Sequence, residues 1–219
     1  QMIGGQLNLA KMVPGKEEFW GLVDWFSEML KSSGAEVKLG ELVTSSDVID
    51  FDEVIIATGV SPRDTKSKGH EKNNVVSYVE VLNGTGQIGQ KVVVIGAGGI
   101  GFDVSEYLVH ENKSDNKQIE IPKWMKEWGV GDPNKTPGGL AENGPKPEAA
   151  VRQVTLMQRK KQKLGRNLGK TTGWIHRSAL KMKNVQMIGN VNYEEITSEG
   201  IMVSDGELRE NPRLVSADT

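Results

Sequence analysis

Six residues, Gly96-Ala97-Gly98-Gly99-Ile100-Gly101, carry the spacing with the most chemical content in this chain. Glycines at the first, third and sixth places let the backbone turn tightly, let a pyrophosphate approach it and let a helix pack closely on a strand. The free amides at the start of that helix, with the positive end of its dipole, would receive the phosphate charge. The spacing alone is weak, because glycine-rich turns also occur as plain structural turns. Its surroundings narrow it. The β-branched run Lys91-Val92-Val93-Val94-Ile95 stands before it, and Ile100, Val104, Tyr107 and Leu108 recur behind it at helical intervals. Strand, glycine turn and helix in that order point to dinucleotide binding, with Gly96, Gly98, Gly99 and Gly101 against the pyrophosphate.

The choice of dinucleotide rests on the end of the next strand. An acid there would accept hydrogen bonds from a ribose 2′-hydroxyl, whereas a base would neutralise a 2′-phosphate. The run Gln153 to Gln158 reads as that strand and ends in Arg159, Lys160 and Lys161, with Lys163 close behind. A guanidinium pairs with phosphate through two parallel hydrogen bonds, so Arg159 is the leading contact, supported by Lys160 and Lys163. These residues point to NADPH, although a solvated basic turn would have the same composition. With no cysteine anywhere, the chain holds no thiol nucleophile, disulfide or thiolate-bound iron–sulfur cluster of its own. His70, His110 and His176 have neither metal-ligand spacing nor a base partner, and are read as surface or packing residues.

These residues need an α/β frame to hold them. Phe19, Leu22, Val23, Phe26, Met29 and Leu30 predict a helix from Lys16 to Ser32, closed at Gly34. Short strands are expected at Glu36 to Leu39 and Phe51 to Ala57, and a short helix capped by Ser77. Between Glu111 and Ala150 the periodicity dissolves among five of the eight prolines, which predicts an inserted excursion with one short helix near Trp124 and Trp128. A helix from about Gly173 to Met182, a strand at Val185 to Ile188 and two further strands near Val191 to Ile196 and Ile201 to Val203 follow. The expected fold is a Rossmann-like parallel sheet with helices on both faces and a short antiparallel excursion.

The 27 basic and 29 acidic residues leave a net charge of −2, which gives no general attraction for nucleic acid or anionic membrane. No apolar run nears the roughly 18 residues that span a bilayer, so a cytoplasmic location is expected.

Over its whole length the sequence resembles the carboxyl-terminal half of the bacterial NADPH-dependent 2,4-dienoyl-CoA reductase family, within the old-yellow-enzyme-like group that includes trimethylamine dehydrogenase. The resemblance is carried by Ile3-Gly4-Gly5-Gln6, Pro14-Gly15-Lys16-Glu17-Glu18-Phe19, Ala57-Thr58-Gly59, Ile95 to Asp103, Gln158-Arg159-Lys160 and, most narrowly, Leu168 to Arg177. It implies a glutathione-reductase-like pair of nucleotide lobes in which NADPH gives hydride to FAD. Residues 1–62 would then be part of the FAD lobe, and 63–219 the NADPH domain with its insert at about 111–150. By the same resemblance Gln6, Lys16, Val43, Ala57, Thr58 and Gly59 belong to the cofactor-binding residues. Trp174 is either a flavin neighbour or a core aromatic. FMN and a 4Fe-4S cluster would belong to a barrel and an iron–sulfur portion outside these residues, which would be the partners of this chain, and no catalytic acid or base is expected within it. The chain therefore reads as a fragment of such an enzyme, with a non-catalytic nucleotide-binding or interaction module as the alternative.

Overall fold

A computed structural model describes residues 2–63, 65–111 and 121–219. The chain opens with a single helical turn, α1 (Leu7–Ala10), followed by α2 (Glu18–Ser33). The predicted stop holds, since Gly34 takes a left-handed φ of 74° and its N–H returns to Lys31 O. The predicted apolar stripe of α2 is only partly covered, with Val23 buried and Phe26 and Met29 nearly half exposed.

Neither strand expected between 36 and 57 forms. Residues 35–63 run as exposed chain apart from a 3-10 turn at Ser45–Val48, and Leu42 and Ile55 are each 91% exposed. The alternation at Phe51 to Ala57 is that of a buried strand, but a strand exists only where a neighbour completes its hydrogen bonds. Among the described residues no strand lies beside it.

From residue 77 onward the prediction and the structure converge. Ser77 and Glu80 exchange both capping bonds at the start of α3 (Tyr78–Asn83). Then follow β1 (Lys91–Ile95), α4 (Gly99–Val109), α5 (Ile121–Trp128), β2 (Gln153–Met157), α6 (Gly173–Met182) and β3 (Gln186–Ile188). The three strands form a parallel sheet in the order β1-β2-β3, with Val92 opposite Val154 and Leu156 opposite Met187. On the outer edge of β1, Val93 N–H donates to Thr219 O, and Asp218 N–H donates to Lys91 O.

Among the described residues, only one face of this sheet carries helices. There Val92, Val154 and Leu156 pack with Phe102 and Leu108 of α4 and Leu180 of α6. The opposite face, with Val93, Ile95 and Met157, packs on a second sheet made of β4 (Val191–Thr197), β5 (Gly200–Asp205) and β6 (Glu210–Ser216). The expectation of helices on both faces is thus corrected, because a strand buried on two sides reads alike whichever layer covers it. The third antiparallel strand, β6, is not among those expected. It contains Pro212, which lacks a ladder donor and is tolerated at an edge, and its neighbours Arg209 and Asn211 take positive φ.

The insert, whose residues 112–120 lie outside those described, is tied to the domain by charge. Lys183, its side chain 3% exposed, pairs with Glu127 of α5 at 2.8 Å and donates to Glu148 O at 3.1 Å. Beside this pair sits Glu106 of α4. Burial, reinforced by Asp103 and Glu127, pushes its carboxyl from 4.5 up to about 7. The folded chain therefore binds a proton that the unfolded chain has released between those values, so this group's contribution is intact below the lower one and is lost as pH rises through the upper. Glu106→Gln should stabilise the chain by about 2–3 kcal/mol at pH 8 and hardly at all near pH 4, read by urea unfolding. An advantage that does not grow with pH would contradict the buried charge.

Candidate functional site

The glycine turn joins β1 to α4, and its four glycines differ in geometry. Gly96 takes φ of 108°, a backbone that side chains rarely adopt, and its N–H bonds to Met157 O of β2 at 2.8 Å. Gly98 is the helix N-cap in extended conformation, and a Cβ placed on it or on Gly99 would meet nothing within 4 Å. At Gly101 a Cβ would lie 1.8 Å from Gly96 O and 3.4 Å from Leu156 Cδ1. So Gly101 closes the helix onto turn and sheet, while Gly98 and Gly99 face open space. No side chain caps α4, and its first amides point out of the helix end with no intrahelical acceptor. That combination of unmet donors, helix dipole and free backbone approach suits an anion.

At the end of β2 the basic loop is held from beneath by Gln158, which is 8% exposed. Its Nε2 donates to Lys160 O at 3.0 Å and to Gln162 O. Arg159 and Lys161 line a recess of about 450 Å³ with Asn190, Asn192, Gly206 and Glu207. Lys160 and Lys163 are exposed and stand outside that lining. The sequence pattern points to Lys163 as the second charge and passes over Lys161, Asn190 and Asn192. Asn190, with φ of 62°, comes from the β3 to β4 connection, and Asn192 comes from β4 and donates to Gly206 O at 2.6 Å. Only the fold brings them to the basic loop. Burial pushes the neighbouring Tyr193 phenol up to about 12, with Arg159 partly opposing the shift, so this hydroxyl stays neutral at physiological pH.

Trp174 stands on the first turn of α6 and is 56% exposed, which removes the reading of a core aromatic. The segment before it is fixed by Arg177, which donates to Gly165 O at 3.1 Å.

The residues expected near FAD do not gather. Gln6 donates to Val60 O at 3.1 Å, beside the exposed Ala57, Thr58 and Gly59. Lys16 instead pairs with Asp103 of α4 at 2.6 Å, and Val43 is 63% exposed. Neither the basic recess nor the cavity beneath α4 is lined by Gln6, Val43 or residues 57–59. Of the histidines, His70 bonds to Ser67 O at 2.9 Å, His110 to Glu106 O at 2.8 Å, and His176 lines that cavity beneath α4. Among the described residues no helix is long and apolar enough to cross a membrane.

Comparison with known proteins places this geometry in a family. The sequence profile described as pyridine nucleotide-disulphide oxidoreductase matches residues 23–219. A metal reductase of Desulforamulus reducens is 24% identical over 99% of the chain, which covers 31% of that protein. A cinnamate reductase of Clostridium sporogenes is 33% identical over 51% of the chain and 17% of its own length. Among solved structures, a 2-naphthoyl-CoA reductase complex superposes over 100% of the chain and 27% of its own, with a TM-score of 0.72 and 19% identity. The chain thus spans a third or less of the length of these relatives.

Proposed function

The chain belongs to the pyridine nucleotide-disulphide oxidoreductase family, and from that premise we propose that it is the NADPH-binding and hydride-transfer module of a flavoenzyme of the 2,4-dienoyl-CoA reductase type. The observation that carries the reading is the contrast within the glycine turn, where Gly101 is packed tight and Gly98 and Gly99 are open at an uncapped helix end. A pyrophosphate fits that opening. Arg159 and Lys161, with Asn190 and Asn192 in the same recess, suit the phosphorylated ribose.

When bound, the nicotinamide supplies a hydride. The chain's own residues bind and orient: the α4 amides hold the phosphates, the basic recess sets the adenosine end, and the exposed Trp174 ring offers an aromatic face at the start of α6. No side chain is required as acid or base. The acceptor in this proposal is FAD, of whose lobe residues 1–62 would be a part. FMN and a 4Fe-4S cluster would lie in further portions of the larger enzyme. Two of the similar proteins are named as reductases of cinnamate and of 2-naphthoyl-CoA, conjugated compounds as a dienoyl thioester is.

Gly98→Ala tests the pyrophosphate contact. Its φ of −87° and ψ of −172° suit alanine, and the added methyl meets no protein atom, so the thermal midpoint should not move. The methyl would occupy the space the phosphates need, and NADPH affinity should fall at least tenfold, measured by the quenching or transfer of tryptophan fluorescence. Unchanged affinity in a normally folded variant would remove the pyrophosphate from this turn.

A further inference from the structure

Charge is spread unevenly along the chain. From Ala149 to Asn192 there are ten lysines and arginines and no aspartate or glutamate, while the other 17 cations share the remaining sequence with all 29 acidic residues. A net charge of −2 therefore conceals a strongly basic segment joined to an acidic remainder. Among the described residues only one of the ten, Lys183, is held in an ion pair, with Glu127. Six of the others, Arg159, Lys160, Lys161, Lys163, Arg166 and Lys170, are exposed and crowd into twelve residues between β2 and α6.

The recess accounts for Arg159 and Lys161, and its lining contains one carboxylate, Glu207. Lys163, Arg166 and Lys170 stand outside that lining and face solvent. Their backbone is nevertheless fixed. Leu164 and Leu168 pack into the main core with Phe102. Gly165, at φ of 69°, runs so close to Phe102 that a Cβ on it would lie 2.8 Å from Cζ, and its carbonyl oxygen accepts from Arg177 at 3.1 Å. Each of the three cations is within two residues of one of these pinned positions. Phe102 belongs to the first turn of α4, so the loop is fastened beside the helix end where Gly98 and Gly99 are open.

A nucleotide suited to that opening is strongly anionic, since a 2′-phosphate adds about 1.5–2 negative charges at pH 7 to a pyrophosphate that is already doubly charged. The acidic remainder of the chain repels such a molecule. A fixed cluster of cations beside the opening reverses the field locally. Exposed charges contribute little to a complex once formed, because water and salt screen them. They act instead on a ligand still approaching, over a distance of roughly 8 Å at physiological salt and further at lower salt.

We propose that Lys163, Arg166 and Lys170 form an encounter site for phosphorylated anions, which gathers NADPH from solution ahead of the recess and the glycine turn and sets how fast it binds. This encounter site rests on the nucleotide reading of those two places. Its role differs from that of Arg159 and Lys161. The three cations govern arrival, of NADPH and less strongly of NADH, whereas the recess governs retention and the choice between the two.

The test is stopped-flow mixing of the 219-residue chain with excess NADPH, followed by tryptophan fluorescence, with dissociation measured separately by displacement. Association with the parent chain should slow at least tenfold as ionic strength rises from about 0.02 M to about 0.5 M. Lys163→Gln, Arg166→Gln and Lys170→Gln combined should slow association at least fivefold at the lower ionic strength and less than about twofold at the higher. Dissociation should stay within about twofold of the parent. A second variant, combining Lys163→Arg, Arg166→Lys and Lys170→Arg, keeps every charge and alters every contact, and should associate as the parent does. The encounter site is overturned if the neutral variant associates at the parent's rate at low ionic strength, if its loss lies in dissociation, or if the charge-keeping variant is slowed as much. A parent chain that binds no NADPH would instead remove the nucleotide reading itself, and the encounter site with it.

Discussion

Replacing Arg159 and Lys161 together by alanine is expected to weaken NADPH by roughly 30-fold or more while changing NADH affinity by less than about threefold. The two cofactors differ only in the 2′-phosphate, so the ratio isolates the interaction that the recess offers. A hydrogen bond to a charged group contributes about 1.5–3 kcal/mol, and solvent screening of these two exposed side chains brings each down to about 1 kcal/mol. Removing both hydrogen bonds at once gives the stated factor. Lys163→Ala should do much less, because Lys163 does not line the recess that Arg159 and Lys161 share. Raised salt should narrow the preference as it screens the exposed charges. Equal losses for NADPH and NADH in the double variant would show that the recess does not read the 2′-phosphate.

The largest effect on stability is expected at Gly101. Its Cβ would sit 1.8 Å from Gly96 O, a backbone atom that cannot swing aside, so alanine must push α4 off the turn. Backbone strain is not the cause, since Gly101 lies within the helix, where alanine is favoured over glycine by about 1 kcal/mol. The overlap outweighs that gain because α4 carries Phe102 and Leu108, which are 1% and 0% exposed, into the main core. A shift of the helix loosens that packing as a whole, at a cost of about 3–5 kcal/mol. Gly101→Ala should therefore lower the thermal midpoint by roughly 10 °C or fail to fold. A variant as stable as the parent would mean that the close approach of helix and turn is not required. Paired with Gly98→Ala, which should fold and not bind, it separates the packing glycine from the ligand-facing one.

The elements around the glycine turn were legible because local signals agreed there. Val92 to Ile95 are β-branched, the glycines follow at once, and the helix behind them has its apolar residues at 3.6-residue intervals. Gly34 and Ser77 likewise announce a helix end and a helix start through their own conformations. The residues 51–57 show the limit of this reading. Their pattern states a preference for a buried strand, but pairing belongs to another segment, and among the described residues none supplies it. β6 erred in the other direction, hidden by Pro212 and by two residues at positive φ, yet held by β5 along its length.

The site was legible in proportion to how local it is. The turn from Gly96 to Gly101 is contiguous, and the tight turn at Gly96 and the close packing at Gly101 could be read from it. The basic recess combines Arg159 and Lys161 with asparagines some thirty residues onward, a meeting that only the second sheet creates. Sequence therefore located the charge, and the fold puts Lys161 rather than Lys163 in the lining of the recess. The cavity beneath α4 lies further still from what a sequence shows, since Asp103, Glu106 and His110 read as ordinary polar positions of an amphipathic helix until α5 and α6 close over them.

The most direct measurement of the central claim is an amide NMR titration of the isotope-labelled chain with NADPH. Saturable shifts at Gly96 to Gly101 and at Arg159, Lys161, Asn190 and Asn192, with little change at Trp124 and Trp128, are the predicted result. No saturable shift, or shifts that leave the glycine turn untouched, would contradict it.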